Sequence, residues 1–248
     1  MYSLNICVLY PDLLNYNGDR GNIIALSKRA LWRNISVNII NVTLDEPFVP
    51  EKYDIVVLGS GQEYEQQIIR KDFIDIKGNE IRSAIENNKV FLCIGGGYQM
   101  LGMYLRTLEG KEIEFLGALD LWTIEGRERL TGDIVFECDF LKSDTFDGKI
   151  VGFENHSGYT YLGEGVEPLG RVVKGFGNNG QDGFEGARYR NVFCSYAHGS
   201  LLPKNHELAD HLLTLALKEK YPDFSSLSPL DDSLEKATRM TLIERIIR

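Results

Sequence analysis

The chain has 248 residues, 43% hydrophobic and 25% charged, enough for one α/β domain with a large core. Its net charge of −9 argues against nucleic acid or an anionic membrane surface as a partner. The four cysteines, at 7, 93, 138 and 194, are far apart with no Cys-x-x-Cys pair. Cys7, Cys93 and Cys194 lie in apolar runs, so buried reduced thiols are expected rather than a disulfide or zinc framework.

No basic segment followed by an apolar stretch opens the chain, and no window approaches 18 apolar residues. A cytosolic protein without membrane insertion is expected. Leu4 to Tyr10 reads as a buried first strand. The turn Asn17-Gly18-Asp19-Arg20-Gly21 leads into a helix with Ile23, Leu26 and Ala30 on one face. Ile35 to Val42 and Tyr53 to Leu58 read as the next two strands, the latter running into Gly59-Ser60-Gly61. Residues 63–87 read as helical with interruptions, including Gly78, and Val90 to Ile94 as a fourth strand. Strands alternating with helices imply right-handed crossovers and a parallel sheet. Active loops then gather at the carboxyl ends of the strands, where both glycine clusters fall.

After residue 112 short β-rich segments take over, at 113–124, 130–138, 149–155, 170–175 and 187–197. They are expected to continue the sheet and add antiparallel strands. Asn205 to Tyr221 reads as an amphipathic helix. Residues 222–230 form a linker, and Asp231 can cap a last helix with Leu234, Ala237, Met240, Ile243 and Ile247 in a stripe. The expectation is a domain over 1–221 followed by a linker and C-terminal amphipathic helix over 222–248.

The densest chemical signal is Val90 to Gly102, VFLCIGGGYQMLG. An apolar strand, three glycines (Gly95 to Gly97) and a helix over Tyr98 to Leu105 have the outline of a nucleophile elbow. Such a turn presents a Ser or Cys at a helix N-terminus, where a thiolate or oxyanion is stabilised. Here Gly95 stands at the turn, and Cys93 is the nearest thiol. Gly97 to Gly102 has the spacing of a phosphate loop, but Met103 and Tyr104 replace its Lys and Ser/Thr. No His/Cys/carboxylate cluster has metal-ligand spacing, so neither a metal nor another cofactor is expected.

The general base must come from four histidines. His206 and His211 lie on the Asn205 helix and read as surface residues. His198 follows the apolar run FCSYA at a strand-to-loop boundary, where it can meet the elbow across neighbouring strand ends. His156 lies in the polar loop after a strand. A satisfied structural histidine is the competing reading for both. Arg129, placed at the start of a strand, can clamp a carboxylate through two parallel hydrogen bonds, against the reading of a solvated surface charge. The polar turn Gly175 to Gly180 can offer backbone N–H groups.

Several runs in one order go further: GDRGN at 18–22, GGYQMLG at 96–102, RLTGDI at 129–134, VGFENHSGYTY at 151–161, GFGNN at 175–179 and the run 185–205. Together they resemble the GatD family, the amidotransferase subunits of lipid II isoglutaminyl synthase, within the cobyric-acid-synthase-like class I glutamine amidotransferases. The resemblance covers all but the last twenty or so residues. It implies a flavodoxin-like three-layer α/β sandwich, mostly parallel with added antiparallel strands. The implied activity is glutamine hydrolysis that supplies ammonia to a MurT-like ATP-dependent synthetase in a heterodimer, amidating the D-glutamate of lipid II to D-isoglutamine. A cobyrinate-type amidotransferase domain and a catalytically dead scaffold are the alternatives.

Aligned on Gly96-Gly97-Tyr98-Gln99, the family's nucleophilic cysteine falls on Gly95, its base on His198 and its glutamine-binding arginine on Arg129. Gly59-Ser60-Gly61-Gln62 matches the oxyanion loop, with Ser60 where the family has Gly. Backbone N–H groups near Gly61 and Gly96 are the implied oxyanion donors. The third triad acid, often two residues after the histidine, falls on Ser200, so an orienting carboxylate must come from elsewhere in the fold or from the partner. Glycine cannot form a thioester. An introduced substitution, a natural loss of glutaminase activity and service by Cys93 are the three explanations. The last is disfavoured, because a residue two earlier on a strand lies about 6.5 Å back along it.

Overall fold

The first strand, β1 (Ser3–Leu9), alternates between two covered faces: Leu4 and Ile6 enter one apolar cluster, Cys7 and Leu9 the other. That pattern demands helices on both sides of a parallel sheet, and the computed structural model, which describes residues 1–248, has them. Helix α1 (Arg20–Leu31) leads to the edge strand β2 (Ser36–Val42). The chain then crosses back to β3 (Ile55–Leu58), passes through α2 (Glu63–Lys71) and α3 (Gly78–Glu86), and reaches β4 (Val90–Ile94). A capping box between Gln62 and Glu65 starts α2, satisfying otherwise orphaned N–H groups at its first turn.

Helix α4 (Gly96–Met100) is one short turn that stops well before the expected Leu105. A Cβ at Gly102 would sit 2.7 Å from the Leu121 carbonyl, and this close approach diverts the chain into β5 (Tyr104–Arg106) and β6 (Glu112–Glu114). Two long strands follow, β7 (Leu121–Glu137) and β8 (Lys149–Leu162), then β9 (Gly170–Lys174), β10 (Phe184–Glu185), β11 (Ala187–Tyr189) and β12 (Val192–Ser195). Helices α5 (Leu201–Lys204), α6 (His206–Lys220) and α7 (Ser233–Ile247) close the chain.

The first sheet has the order β11-β12-β4-β3-β1-β2, parallel except for β11. The remaining strands do not lengthen it; they form a second sheet, β10-β9-β7-β5-β6, with β8 on β7, antiparallel except for the β5–β7 pair. The sheets touch where Phe153 of β8 bridges His198, its carbonyl accepting the His198 N–H at 2.8 Å. All four cysteines are buried and unpaired. No helix is long and apolar enough to cross a membrane.

Two charged clusters lock the body. Tyr10 donates to Asp72 at 2.6 Å, and buried Lys77 pairs with the same carboxylate. On the opposite flank Arg29 bonds Asp210 and Asp232, and Arg33 joins Asp210. His206, expected at the surface, is buried here beside Glu207 and Asp232, because α6 turns that side toward α1 and α7. Helix α7 lies on its own chain, held by Arg239, which pairs with Glu207 and covers the Phe146 ring. Its expected apolar stripe faces largely outward: Leu234 is 74% and Met240 60% exposed.

Candidate active site

Strand β4 ends at Gly95 with φ 54° and ψ −112°, and α4 begins at the next residue. This is the sharp strand-to-helix turn of a nucleophile elbow, a backbone that side chains tolerate only under strain and glycine adopts freely. The turn opens on a cleft of about 270 Å³ whose lining includes Ser60, Gly61, Gly96, Arg129, His156 and His198. A larger cavity of about 530 Å³ lies beside α1 and contains neither the turn nor a histidine. The groups able to do chemistry meet at Gly95.

His198 follows β12, the neighbour of β4, and so stands at an adjacent strand end. The residue is 8% exposed, its Nε2 has no hydrogen-bond partner, and Phe153 meets the ring edge-on at 5.6 Å. Burial pushes its pKa down to about 4, with the charges of Lys204 and His156 acting in the same direction. The imidazole is therefore neutral near pH 7, the form that can accept a proton. No carboxylate touches it. Ser200 donates instead to the Gly18 carbonyl at 2.7 Å, pinning the first glycine turn.

Two buried glutamates near the cleft gave no sequence signal, and both are structural. Glu185 accepts from Ser195 and the Tyr196 N–H, fixing the exit of β12 just before His198. Glu154 accepts from the N–H groups of Phe176 and Gly177. The polar turn at 175–180 thus spends those donors inward. His156 gives Nδ1 to the Gly158 carbonyl at 2.7 Å and stacks on Tyr196 with ring centres 3.7 Å apart.

Arg129 does not start a strand. It lies inside β7, where the pairing with β8 slips between Glu125 and Leu130. The slip re-aims side chains toward the cleft. Arg129 donates through Nε to Asn155, which leaves its terminal nitrogens for a ligand.

Gln66 donates to the Gly61 carbonyl and to Gln99, and Gln99 donates to the Tyr196 hydroxyl at 2.9 Å. An uncharged floor therefore ties the loop after β3 to the helix after β4. Gln62 serves as the cap of α2. The N–H groups of Gly61 and Gly96 make no hydrogen bond within the chain, and a Cβ on Gly96 would lie 3.1 Å from the Gly61 nitrogen. Two free donors on adjoining loops that line one cleft have the character of an oxyanion hole. Cys93 lies within β4, fully buried beside Cys194, and does not line the cleft.

Residues 5–206 match the CobB/CobQ-like glutamine amidotransferase domain. The chain is 43% identical over 248 residues to the lipid II isoglutaminyl synthase (glutamine-hydrolyzing) subunit GatD of Staphylococcus aureus, covering 100% of this chain and 98% of the relative. It is 41% identical to the subunit of that name from Streptococcus pneumoniae, over 95% of this chain and 88% of the relative. PurLQS from Thermotoga maritima shares the fold, with a TM-score of 0.55, 22% identity, and 79% and 87% of the two chains covered. A glutamine amidotransferase from the same organism aligns over the whole of both chains with a TM-score of 0.51 at 17% identity. Elbow, cleft and end-to-end relatives agree: the chain belongs to the CobB/CobQ-like glutamine amidotransferase family.

Proposed function

We propose that the chain is the glutamine-binding subunit of a lipid II amidating synthase, working as a heterodimer with a MurT-like ATP-dependent synthetase, and that the glutaminase step is lost at Gly95. The observation that carries this is the elbow backbone built on a residue without a side chain, facing an otherwise furnished cleft. Cobyric acid synthases also match, but the Methanocaldococcus jannaschii protein aligns over only 32% of its own length. The GatD relatives run end to end, which favours the stand-alone subunit.

With a cysteine at position 95 the reaction would run as follows. His198 takes the thiol proton and the sulfur attacks the glutamine carboxamide carbon. The N–H groups of Gly61 and Gly96 hold the oxyanion. The C–N bond breaks, His198 returns the proton, and ammonia leaves. Water then resolves the thioester to glutamate and the free thiol. Arg129 holds the α-carboxylate. Glycine removes the attacking atom while leaving the binding groups in place.

The test is reconstitution with the MurT-like subunit, ATP and lipid II. Sedimentation should show a micromolar complex that amidates lipid II from ammonium. Glutamine should not serve, since loss of a nucleophile costs about six orders of magnitude in turnover. Absence of a complex would sink the two-subunit reading. Glutamine hydrolysis at ordinary rates would show that another nucleophile acts.

A further inference from the structure

We infer that Ser60 and position 95 are coupled through packing: the Ser60 side chain crowds the space where a side chain at position 95 would begin, so the two can both carry a side chain only if one of them gives way. A Cβ built on Gly95 would lie 3.0 Å from the Ser60 Cβ and 3.8 Å from its Cα, and it would meet nothing else within 4 Å. Beyond the strain of a side chain at φ 54°, the obstacle is one side chain and not the general crowding of the turn.

Ser60 is poorly placed to move aside. It is 3% exposed, and both its N–H and its hydroxyl donate to one carboxylate oxygen of Asp19, at 2.7 and 2.5 Å. Its carbonyl accepts the Tyr16 N–H at 3.0 Å, and its Oγ receives the Asn17 N–H at 3.3 Å. The flanking glycines block a slide of the loop. A Cβ at Gly59 would meet the Leu14 carbonyl at 2.1 Å, and one at Gly61 the Leu14 side chain at 2.5 Å. The loop carrying Ser60 is thus fixed from behind while its front faces the turn. Contacts nearer than normal van der Waals separation force strain or backbone shifts in packed surroundings. Moving Ser60 by force would also disturb Gly61, whose N–H is one of the two free donors.

Ser60 is a positioning residue in this account, acting on what can stand at the turn. Only its activity readout rests on the amidotransferase reading. The experiment is a double-mutant cycle in the full chain: Gly95→Cys, Ser60→Gly and the two together. Three readouts are taken: unfolding midpoint, alkylation of the introduced thiol by iodoacetamide, and ammonia release from glutamine with the synthetase present. The four native thiols are buried, so they give a low alkylation background. Gly95→Cys alone should unfold earlier and react slowly. Adding Ser60→Gly should recover part of the midpoint loss, the backbone strain at position 95 remaining, and raise the alkylation rate about tenfold, a coupling normal for residues in contact.

Additive effects on the midpoint and the alkylation rate would overturn the inference. So would a double variant that fails to fold while Ser60→Gly folds. If Gly95→Cys does not fold, Gly95→Ala with and without Ser60→Gly reports the same packing, and absence of rescue there is likewise decisive. Coupling in the packing readouts without ammonia release would leave Ser60 as inferred and sink the glutaminase ancestry of the cleft instead.

Discussion

Two sets of polar groups in this molecule obey opposite rules. Behind β1, Lys77, Asp72 and Tyr10 consume one another's hydrogen bonds in the buried interior, and on the α1 flank Arg29 and Arg33 share two aspartates. At the carboxyl ends of β3, β4 and β12, His198 Nε2, His156 Nε2 and the Gly61 and Gly96 N–H groups lack hydrogen bonds within the chain. Buried polar groups are normally satisfied, and each exception calls for an explanation. Here the unsatisfied groups face one cleft, and a ligand is what would satisfy them. Elsewhere, as at Asn22, Thr107 and His206, an unsatisfied buried group stands singly; at the cleft several converge.

Breaking the paired region should give the largest effect on stability. Lys77→Ala leaves Asp72 buried without its cation and should cost about 3–5 kcal/mol in urea unfolding. A loss below 1 kcal/mol would mean that the pair is not structural. Arg129→Ala should do the reverse. Its unfolding midpoint should hold, while glutamine affinity measured by calorimetry falls at least about tenfold, the worth of a charge-assisted clamp. Unchanged affinity would return Arg129 to the surface-charge reading.

The histidine sharpens the contrast through pH. His198 has its folded pKa depressed to about 4, against about 6.5 for an unfolded histidine. Between those values the unfolded chain binds more protons, so its contribution to stability is complete above about 6.5 and is lost as pH falls toward 4. Burial pushes His211 to about 4 as well, with the same sign. His198→Phe should therefore flatten the acid limb of the stability profile in part. An unchanged limb would place His198 in solvent. The smallest effect should come from α7. Met240→Ser, at a position 60% exposed, should change stability by no more than about 0.5 kcal/mol in the isolated chain.

Much of this was legible in residue order. Strands buried on both faces have to be apolar throughout, and β1, β3 and β4 declare themselves in that way, as does the glycine-lined turn that follows β4. Short-range pattern could not show that β7 runs unbroken through 121–137, because its polar middle, 125–129, reads as a loop until β8 pairs around it. The same blindness put Arg129 at a strand start and not in a register slip. His206 reads as exposed because its burial depends on α1 and α7, elements distant in sequence. The outward stripe of α7 has a related cause: the helix is held by ion pairs, Arg239 with Glu207 and Asp232 at its start with Arg29, that its apolar pattern does not reveal. Glu154 and Glu185 were invisible because their partners, backbone N–H groups and the Ser195 hydroxyl, are brought to them only by the folded chain.

The bridge between Phe153 and His198 has a further consequence. Because the histidine backbone is hydrogen-bonded to β8 while its strand belongs to the parallel sheet, His198 is shared between both sheets. Cooperative units of a fold open together, and their amides exchange with solvent together. Any fluctuation that lifts the β7–β8 hairpin releases the His198 amide and carries the imidazole out of register with the turn. The antiparallel half of the molecule is in this sense a clasp: the site keeps its geometry only while two separately built sheets stay fastened, at Phe153 and His198 and again where Glu167 bridges Arg188.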